Sequence, residues 1–350
     1  MITIREVDFD DIRQPWQTLE DEGKLSTVFQ TAGWIETWSR YLLRDRQPLM
    51  LAAYQDGQLT AVMPLYKEWA SIKGIRLFKV LRFMGYAESD YHDLIIQNGE
   101  EAKIISHFLS DLRHRDWQIA AFGDFYHSSL YVEIILQKAR DCGYHVLCYP
   151  HTVCPYIHLP GAYEEYIKTI NKTTKTNILY YHRRLQKRGY LQVEVVDGSG
   201  DIDGWMQHFF NLHEGRWRLK GESGALAGSR LKEFHLAVAR RLAKYFHSFS
   251  LLMDGRRIAV DYDYVFNRKL CSYLKGWDPE YNSYRVGSIL IMDTIREAIA
   301  RGLKEMDFMR GDEPYKFLFT KTYRRNFKIV IAKDRFHLQL WRLLDSIGRK

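Results

Sequence analysis

The sequence predicts an α/β (α+β) chain in which one unit occurs twice. Three observations carry this. Short apolar or alternating runs bounded by turn residues are interleaved with stretches whose apolar residues recur at three- and four-residue steps. Asp56-Gly57 and Asp254-Gly255 each sit between two apolar runs, as hairpin turns do. The pattern Asp-Gly-x-x-x-Ala-Val also occurs twice, at 56–62 and 254–260, with every matched position offset by the same 198 residues.

Residues 2–7 read as a strand, followed by helices at 10–22 and 31–43; Trp34, Ile35, Trp38, Tyr41 and Leu42 fall on one face of the second. Strands at 49–54 and 59–67 flank the first Asp-Gly turn, and further strands fall at 77–83 and 93–96. A helix at 101–113, a buried strand at 119–122, a helix at 129–142 stopped by Gly143 and a strand at 144–149 complete the first half. After Pro155 and Pro160, Ile167, Ile170, Thr174, Ile178, Tyr181 and Leu185 mark one amphipathic helix that Gly189 ends. The second half reads as a strand at 191–196, helices at 203–218 and 229–245, and strands at 248–253, 257–267 and 270–276. A helix at 287–301, a strand at 305–309, a short helix at 314–323, a strand at 327–332 and an amphipathic tail from 336 to 347 follow. The tail either lies at an interface or caps the C-terminal domain.

A chain of 350 residues accommodates two domains with their own cores. With 46% apolar and 27% charged residues it is a globular chain, not a disordered one. The acidic N-terminal stretch lacks a signal-peptide pattern, and no apolar run approaches the roughly 20 residues that span a bilayer. The expectation is a cytoplasmic protein, peripheral at most to the inner face of a membrane. Cys142, Cys148, Cys154 and Cys271 form no CxxC pair and have no histidine cluster beside them, which argues against zinc and against a disulfide framework. The net charge of +8 is concentrated: residues 166–189 contain no acid and seven cations, Lys168, Lys172, Lys175, Arg183, Arg184, Lys187 and Arg188. This segment is either a solvated face or the contact for an anionic membrane surface or polymer. No RNA-binding motif accompanies it.

The segment 272–317 is the most informative. It reads strand, glycine turn at Arg285-Val286-Gly287-Ser288, amphipathic helix with Ile289, Leu290, Ile291, Ile295 and Ile299 on its apolar side, then strand and polar loop. Backbone N–H groups at such a helix start suit a phosphate, although strand–helix turns that bind nothing are common.

In its second half the chain resembles the GNAT acyltransferases, by the element order from 203 to 332. More narrowly, Gly287-Ser288-Ile289-Leu290-Ile291, Ala298-x-x-x-Gly302, Met306-Asp307-Phe308 and Gly311-x-x-x-Tyr315-Lys316 resemble the CelD-like group (cellulose and exopolysaccharide biosynthesis) and the related Fem-type aminoacyltransferases. Phe29-x-x-x-x-Trp34-x-x-x-Trp38 and Asp90-Tyr91-x-Asp93-Leu94 are similar to that group as well. The resemblance implies tandem GNAT-like units with mixed, mostly antiparallel sheets flanked by helices. The expected organisation is a first unit at 1–160 without a cofactor turn, a basic connecting helix at 161–190, the acyltransferase unit at 191–335 and the amphipathic tail at 336–350.

The resemblance further implies an acyl-CoA, such as acetyl-CoA, as donor, held at Arg285, Val286, Gly287, Ser288 and Ile289, with its pyrophosphate on the amides from Val286 to Leu290. One departure stands out. Where the usual loop reads Gln/Arg-x-x-Gly-x-Gly/Ala, the first glycine is Arg285. The fourth and fifth strands of such a unit splay apart around the acyl group, and Tyr315 and Lys316 follow the fifth. Tyr315 is expected to protonate the leaving thiolate, and Lys316 to stabilise an oxyanion or hold an acidic acceptor; the alternatives are a packed tyrosine and a solvated lysine.

Asp261 and Asp263 alternate with Val260, Tyr262 and Tyr264, so both face one way. Asp261 is the candidate base toward an acceptor amine. The competing reading pairs these acids with Arg256, Arg257 or Lys275. Arg216, Trp217, Lys275, Trp277 and Asp307 are the expected substrate contacts, beside His213, Glu214 and Lys220. The catalytic set is thus Asp261, Tyr315 and Lys316, with no metal.

Together these point to an N-acyltransferase in which an amine on a sugar or cell-envelope precursor attacks the thioester directly. One rival is a Fem-type enzyme taking aminoacyl-tRNA, the only nucleic acid this reading admits. Another is a non-catalytic partner in polysaccharide assembly.

Overall fold

The computed structural model describes residues 1–22, 25–97, 99–126, 129–219, 221, 224, 226 and 228–347. The chain forms two compact units, Met1–Thr152 with Arg325–Lys350, and Val153–Arg324.

The first unit begins with β1 (Ile2–Glu6), α1 (Phe9–Asp21) and α2 (Ala32–Leu42). Thr31 starts α2 by accepting the Trp34 amide on its hydroxyl. Next come β2 (Gln47–Gln55), β3 (Gln58–Ile72), β4 (Ile75–Phe83), β5 (Ile95–Ile96), α3 (Glu101–Arg113), β6 (Ile119–Phe125) and α4 (Tyr131–Asp141). Ile104, Ile105, Phe108, Leu109 and Leu112 of α3 are buried in a core shared with β2, β3, β6 and α4. The chain passes to the second unit within β7 (His145–His158).

The second unit holds α5 (Tyr163–Thr169), α6 (Lys172–Gln186), β8 (Leu191–Asp197), α7 (Ile202–Arg218), α8 (Ser229–Arg241), β9 (His247–Met253), β10 (Arg256–Phe266), β11 (Lys269–Trp277), α9 (Val286–Ala300) and β12 (Glu305–Asp307). Its strands run in the order β7-β12-β11-β10-β9-β8. All neighbours are antiparallel except β11 and β12. The expected single basic helix is two, because Ile170 is extended and Asn171 starts α6 afresh by capping the Thr173 amide.

The chain then returns to the first unit with β13 (Tyr323–Ala332) and α10 (Arg335–Ile347). There the strand order is β1-β2-β3-β4-β6-β13, with β4 and β6 parallel and β13 antiparallel to β6. The expected boundary at 335 therefore moves to Arg324: pairing with β6 draws the last strand out of the second unit. The tail does not cap the C-terminal domain. Leu338 and Trp341 of α10 bury against Phe78, Val80, Ile119, Ala121 and Val330, and Asp345 accepts from Tyr149 and pairs with Lys328. The short helix expected at 314–323 is one 3-10 turn, Lys316–Leu318, since Tyr323 already belongs to β13.

The internal repeat extends to backbone detail. Asp56-Gly57 and Asp254-Gly255 have positive φ at both residues, +50° and +83° against +48° and +82°, the signature of a type I′ hairpin. The register skips Thr60 in the first hairpin and Ile258 in the second, each three residues beyond its glycine. Each bulge carbonyl accepts a third segment's amide: Gln97 N at 2.7 Å for Thr60, Asp278 N at 2.8 Å for Ile258.

Candidate functional site

β12 is short for a local reason. Asp307 Oδ1 accepts the Met309 amide at 2.8 Å, and Met309 takes φ +60°. The chain then follows β7, with Phe308 N donating to Pro155 O and Gly311 N to Val153 O. β11 meanwhile continues to Trp277, although its pairing with β12 covers only Lys269–Cys271. Past Cys271 the two strands part, and the opening lies beside the second half of β11.

A cavity of about 140 Å³ is lined by Lys275, Trp277, Asn282, Arg285, Val286, Gly287, Ser288, Ile291 and Tyr315. It brings together seven of the residues singled out from sequence; Asn282 and Ile291 join them. Among the described residues no hydrogen bond uses the amides of Val286 and Gly287, whereas Ser288 and Ile289 donate to Arg285 O at 2.9 and 3.2 Å. The stretch able to receive a phosphate is thus two amides, not the five expected from Val286 to Leu290. The Ile289 side chain is buried in the core. Arg285 stands at φ +55°, ψ +38°, the left-handed conformation that glycine adopts without strain.

Behind the cavity lies a buried charge cluster. Lys275 and Asp261 are register partners, and Nζ sits 3.0 Å from Asp261 Oδ2, off the angles of a hydrogen bond. Nζ also donates to Ser272 Oγ at 2.5 Å. Asp263 is fully buried, and neither of its oxygens has a partner in hydrogen-bond geometry among the described residues. Burial pushes both carboxyls up, against the pull of Lys275, and pushes Asp263 well up. Burial also opposes the Lys275 charge, but the two acids outweigh it and hold the ammonium above the usual lysine range. Arg256 and Arg257 are not their partners; these pair with Asp278 and Glu194. Asp261 is 1% exposed and does not line the cavity, whereas its register partner Lys275 does.

Burial raises the Tyr315 hydroxyl to about 12, so it keeps its proton at neutral pH. The neighbouring Lys316 turns the other way. Its ammonium donates to the carbonyls of Met309, Arg310 and Gly311 at 3.3, 2.7 and 3.3 Å and pairs with Glu313 at 2.9 Å. It fastens the loop that carries Tyr315 and is absent from the cavity wall. Asp307, expected to touch substrate, instead shapes the Met309 turn, with Oδ2 3.4 Å from Arg324.

Arg216 lies over the Trp277 ring at 4.5 Å and donates to Lys275 O at 3.2 Å. His213 reads as structural. Trp217 Nε1 donates to its Nε2, which leaves Nδ1–H to donate to Lys275 O at 2.9 Å. Burial lowers this imidazole to about 4. Trp217 is occupied there and does not line the cavity; Lys220 lies outside the described residues. Trp277 lines the cavity, and its buried indole N–H has no acceptor among the described residues. Among the described residues no group of acids, histidines and cysteines is arranged to hold a metal, and no helix is long and apolar enough to cross a membrane.

Residues 172–317 match the family described as acetyltransferase (GNAT) domain. No curated protein matches the chain significantly. Among solved structures, FemX is 9% identical, with a TM-score of 0.63 over 97% of this chain and 99% of that one. L-PGS from Bacillus licheniformis is 11% identical, with a TM-score of 0.53 over 90% and 97%. A tandem GNAT protein from the clavulanic acid biosynthesis pathway is 10% identical, with a TM-score of 0.50 over 96% and 100%. At such identities the likeness is one of fold. The family match covers the segment that builds the cavity, so residues 172–317 form a domain similar to the GNAT acetyltransferases, within a chain that shares the fold of these structures.

Proposed function

We propose that the protein is an acyl-CoA-dependent N-acyltransferase whose acceptor is an amine on a sugar or cell-envelope precursor, acting by direct attack in a ternary complex. The observation that carries the reading is the cavity that joins the α9 turn to Lys275 and Tyr315. At about 140 Å³ it is below the roughly 300 Å³ at which pockets for whole ligands begin. It suits the reacting end of a donor whose phosphates stay at the turn. The free amides of Val286 and Gly287 and the unmet Trp277 donor fit such a ligand.

The donor supplies an activated acyl carbon and a thiolate leaving group. The acceptor nitrogen bonds to that carbon, the carbon–sulfur bond breaks, the nitrogen releases its proton to water, and Tyr315 protonates the sulfur. Lys275, held charged by Asp261 and Asp263, stabilises negative charge developing on the acyl oxygen. Cys271 is buried and its thiol pushed well up by burial, which supports direct attack over an acyl-enzyme.

One observation favours a second reading. All seven cations between 166 and 189 are exposed, and none enters an ion pair among the described residues. They suit an anionic partner, either a membrane surface or polymer beside the acyltransferase or, in a Fem-type enzyme, aminoacyl-tRNA.

Calorimetry with acetyl-CoA on the wild type and on Gly287→Glu separates these. The proposal expects binding that weakens about tenfold or more in the variant, where a carboxylate meets the turn. Equal binding by both sinks the site. No binding by the wild type, with tight salt-sensitive binding of tRNA, replaces the donor; heat from neither ligand points to a non-catalytic partner.

A further inference from the structure

The cationic end of α6 lies at the donor turn. Tyr284, one residue before Arg285, carries the Arg184 guanidinium over its ring at 4.6 Å and accepts from Arg188 Nη1 at 3.4 Å. Arg184 stands in the last turn of α6 and Arg188 in the turn just beyond it; both are exposed, and neither enters an ion pair among the described residues, although Glu280 lies within electrostatic reach of Arg188. At the other end of α6, Lys175, Ile178 and Leu179 share a groove with Met292, Asp293 and Arg296 of α9. The two helices therefore run antiparallel, and the last turn of α6 meets the 3-10 turn Pro279–Tyr284 that leads into α9.

Two like charges drawn to one tyrosine, neither of them in an ion pair among the described residues, repel each other. An anion bound there would relieve that repulsion and take up their free donors. Tyr284 does not line the cavity, whereas Asn282, Arg285, Gly287 and Ser288 do. A ligand whose thioester reaches Tyr315 and whose pyrophosphate lies on Val286 and Gly287 has its remaining phosphate on the outer side of this turn.

We propose that Arg184 and Arg188 grip the ribose 3′-phosphate of the coenzyme A donor, making the end of the basic helix a specificity element of the donor site. The proposal rests on the reading of α9 as the donor turn.

Its test is calorimetry with acetyl-CoA and acetyl-3′-dephospho-CoA. The proteins are the wild type, Arg184→Ala/Arg188→Ala, Arg184→Lys/Arg188→Lys, and Lys172→Ala/Lys175→Ala, which removes the same charge from the far end of α6. The wild type should prefer acetyl-CoA about tenfold, as two partly exposed charge-assisted contacts allow. That preference should fall below about twofold in the Arg→Ala pair, be partly kept by the Arg→Lys pair, and persist in the lysine pair. The Arg→Lys pair also guards against misfolding as the cause of any loss. An undiminished preference in the Arg→Ala pair, or none in the wild type, overturns the grip while binding itself upholds the donor turn. If the wild type binds neither ligand, the donor reading fails and the grip with it.

Discussion

Lys275 and Asp261 face each other as register partners across β10 and β11, their charged ends 3.0 Å apart and neither side chain more than 6% exposed. With Asp263 alongside, one ammonium serves two buried carboxyls. Lys275→Met should destabilise the protein by about 3–5 kcal/mol, because it strands buried acids. Adding Asp261→Asn should recover part of that loss. Urea midpoints of the wild type, single and double variants give the coupling, and an additive result would contradict the pairing.

Tyr315→Phe removes the proton donor and leaves the cavity wall intact. Thiol release from acetyl-CoA, with glucosamine as acceptor, should slow roughly hundredfold while acetyl-CoA affinity is unchanged. Since burial raises the hydroxyl to about 12, the pH–rate profiles of wild type and variant should run parallel between about pH 7 and about pH 9. A wild-type decline in that window, missing from the variant, would mean that the Tyr315 hydroxyl loses its proton far below about 12, against the effect of its burial.

Arg285→Gly should keep the turn and raise stability by up to about 1 kcal/mol, since glycine reaches the left-handed conformation without strain. Thermal melts would register this as a small upward shift in Tm, and a lower Tm would mean that the Arg285 side chain supports the fold.

Asp93 is buried in the first unit and accepts from Ser129, Ser26 and the Leu94 amide. Burial outweighs these bonds and pushes it up to about 7. A raised carboxyl binds its proton more tightly in the folded chain than in the unfolded one. Its contribution is therefore complete below the unfolded value near pH 4 and is lost as pH rises through about 7, on the order of 4 kcal/mol in all. In Asp93→Asn that decline should disappear from denaturation curves collected across the window.

Local chemistry made much of this legible in the sequence. Asp56-Gly57 and Asp254-Gly255 announce their hairpins because a type I′ turn needs positive φ at both residues. The alternation around Tyr262 put Asp261 and Asp263 on one face, but only the register shows that Lys275, and not Arg256 or Arg257, answers them. The orientation of Lys316 was hidden for a similar reason: the carbonyls it binds come from a turn that Asp307 sets up through Met309. The last strand went to the wrong unit because nothing in Tyr323–Ala332 records that its partner is β6, some two hundred residues upstream. Sequence spacing carries the basic helix up to Gly189, whereas α6 ends at Gln186 and leaves Arg188 in the turn beyond it.

Because β13 completes the sheet of the first unit, the second is an insertion within it. On the ribosome every residue of Val153–Arg324 emerges before the final strand of the first unit has been made. The second unit can fold during translation, while the N-terminal unit has to wait for the end of the message with the edge of β6 uncovered. A nonsense mutation shortly before residue 325 would thus spare the second unit and strand the first, a polarity of damage opposite to what the order of the genetic text suggests.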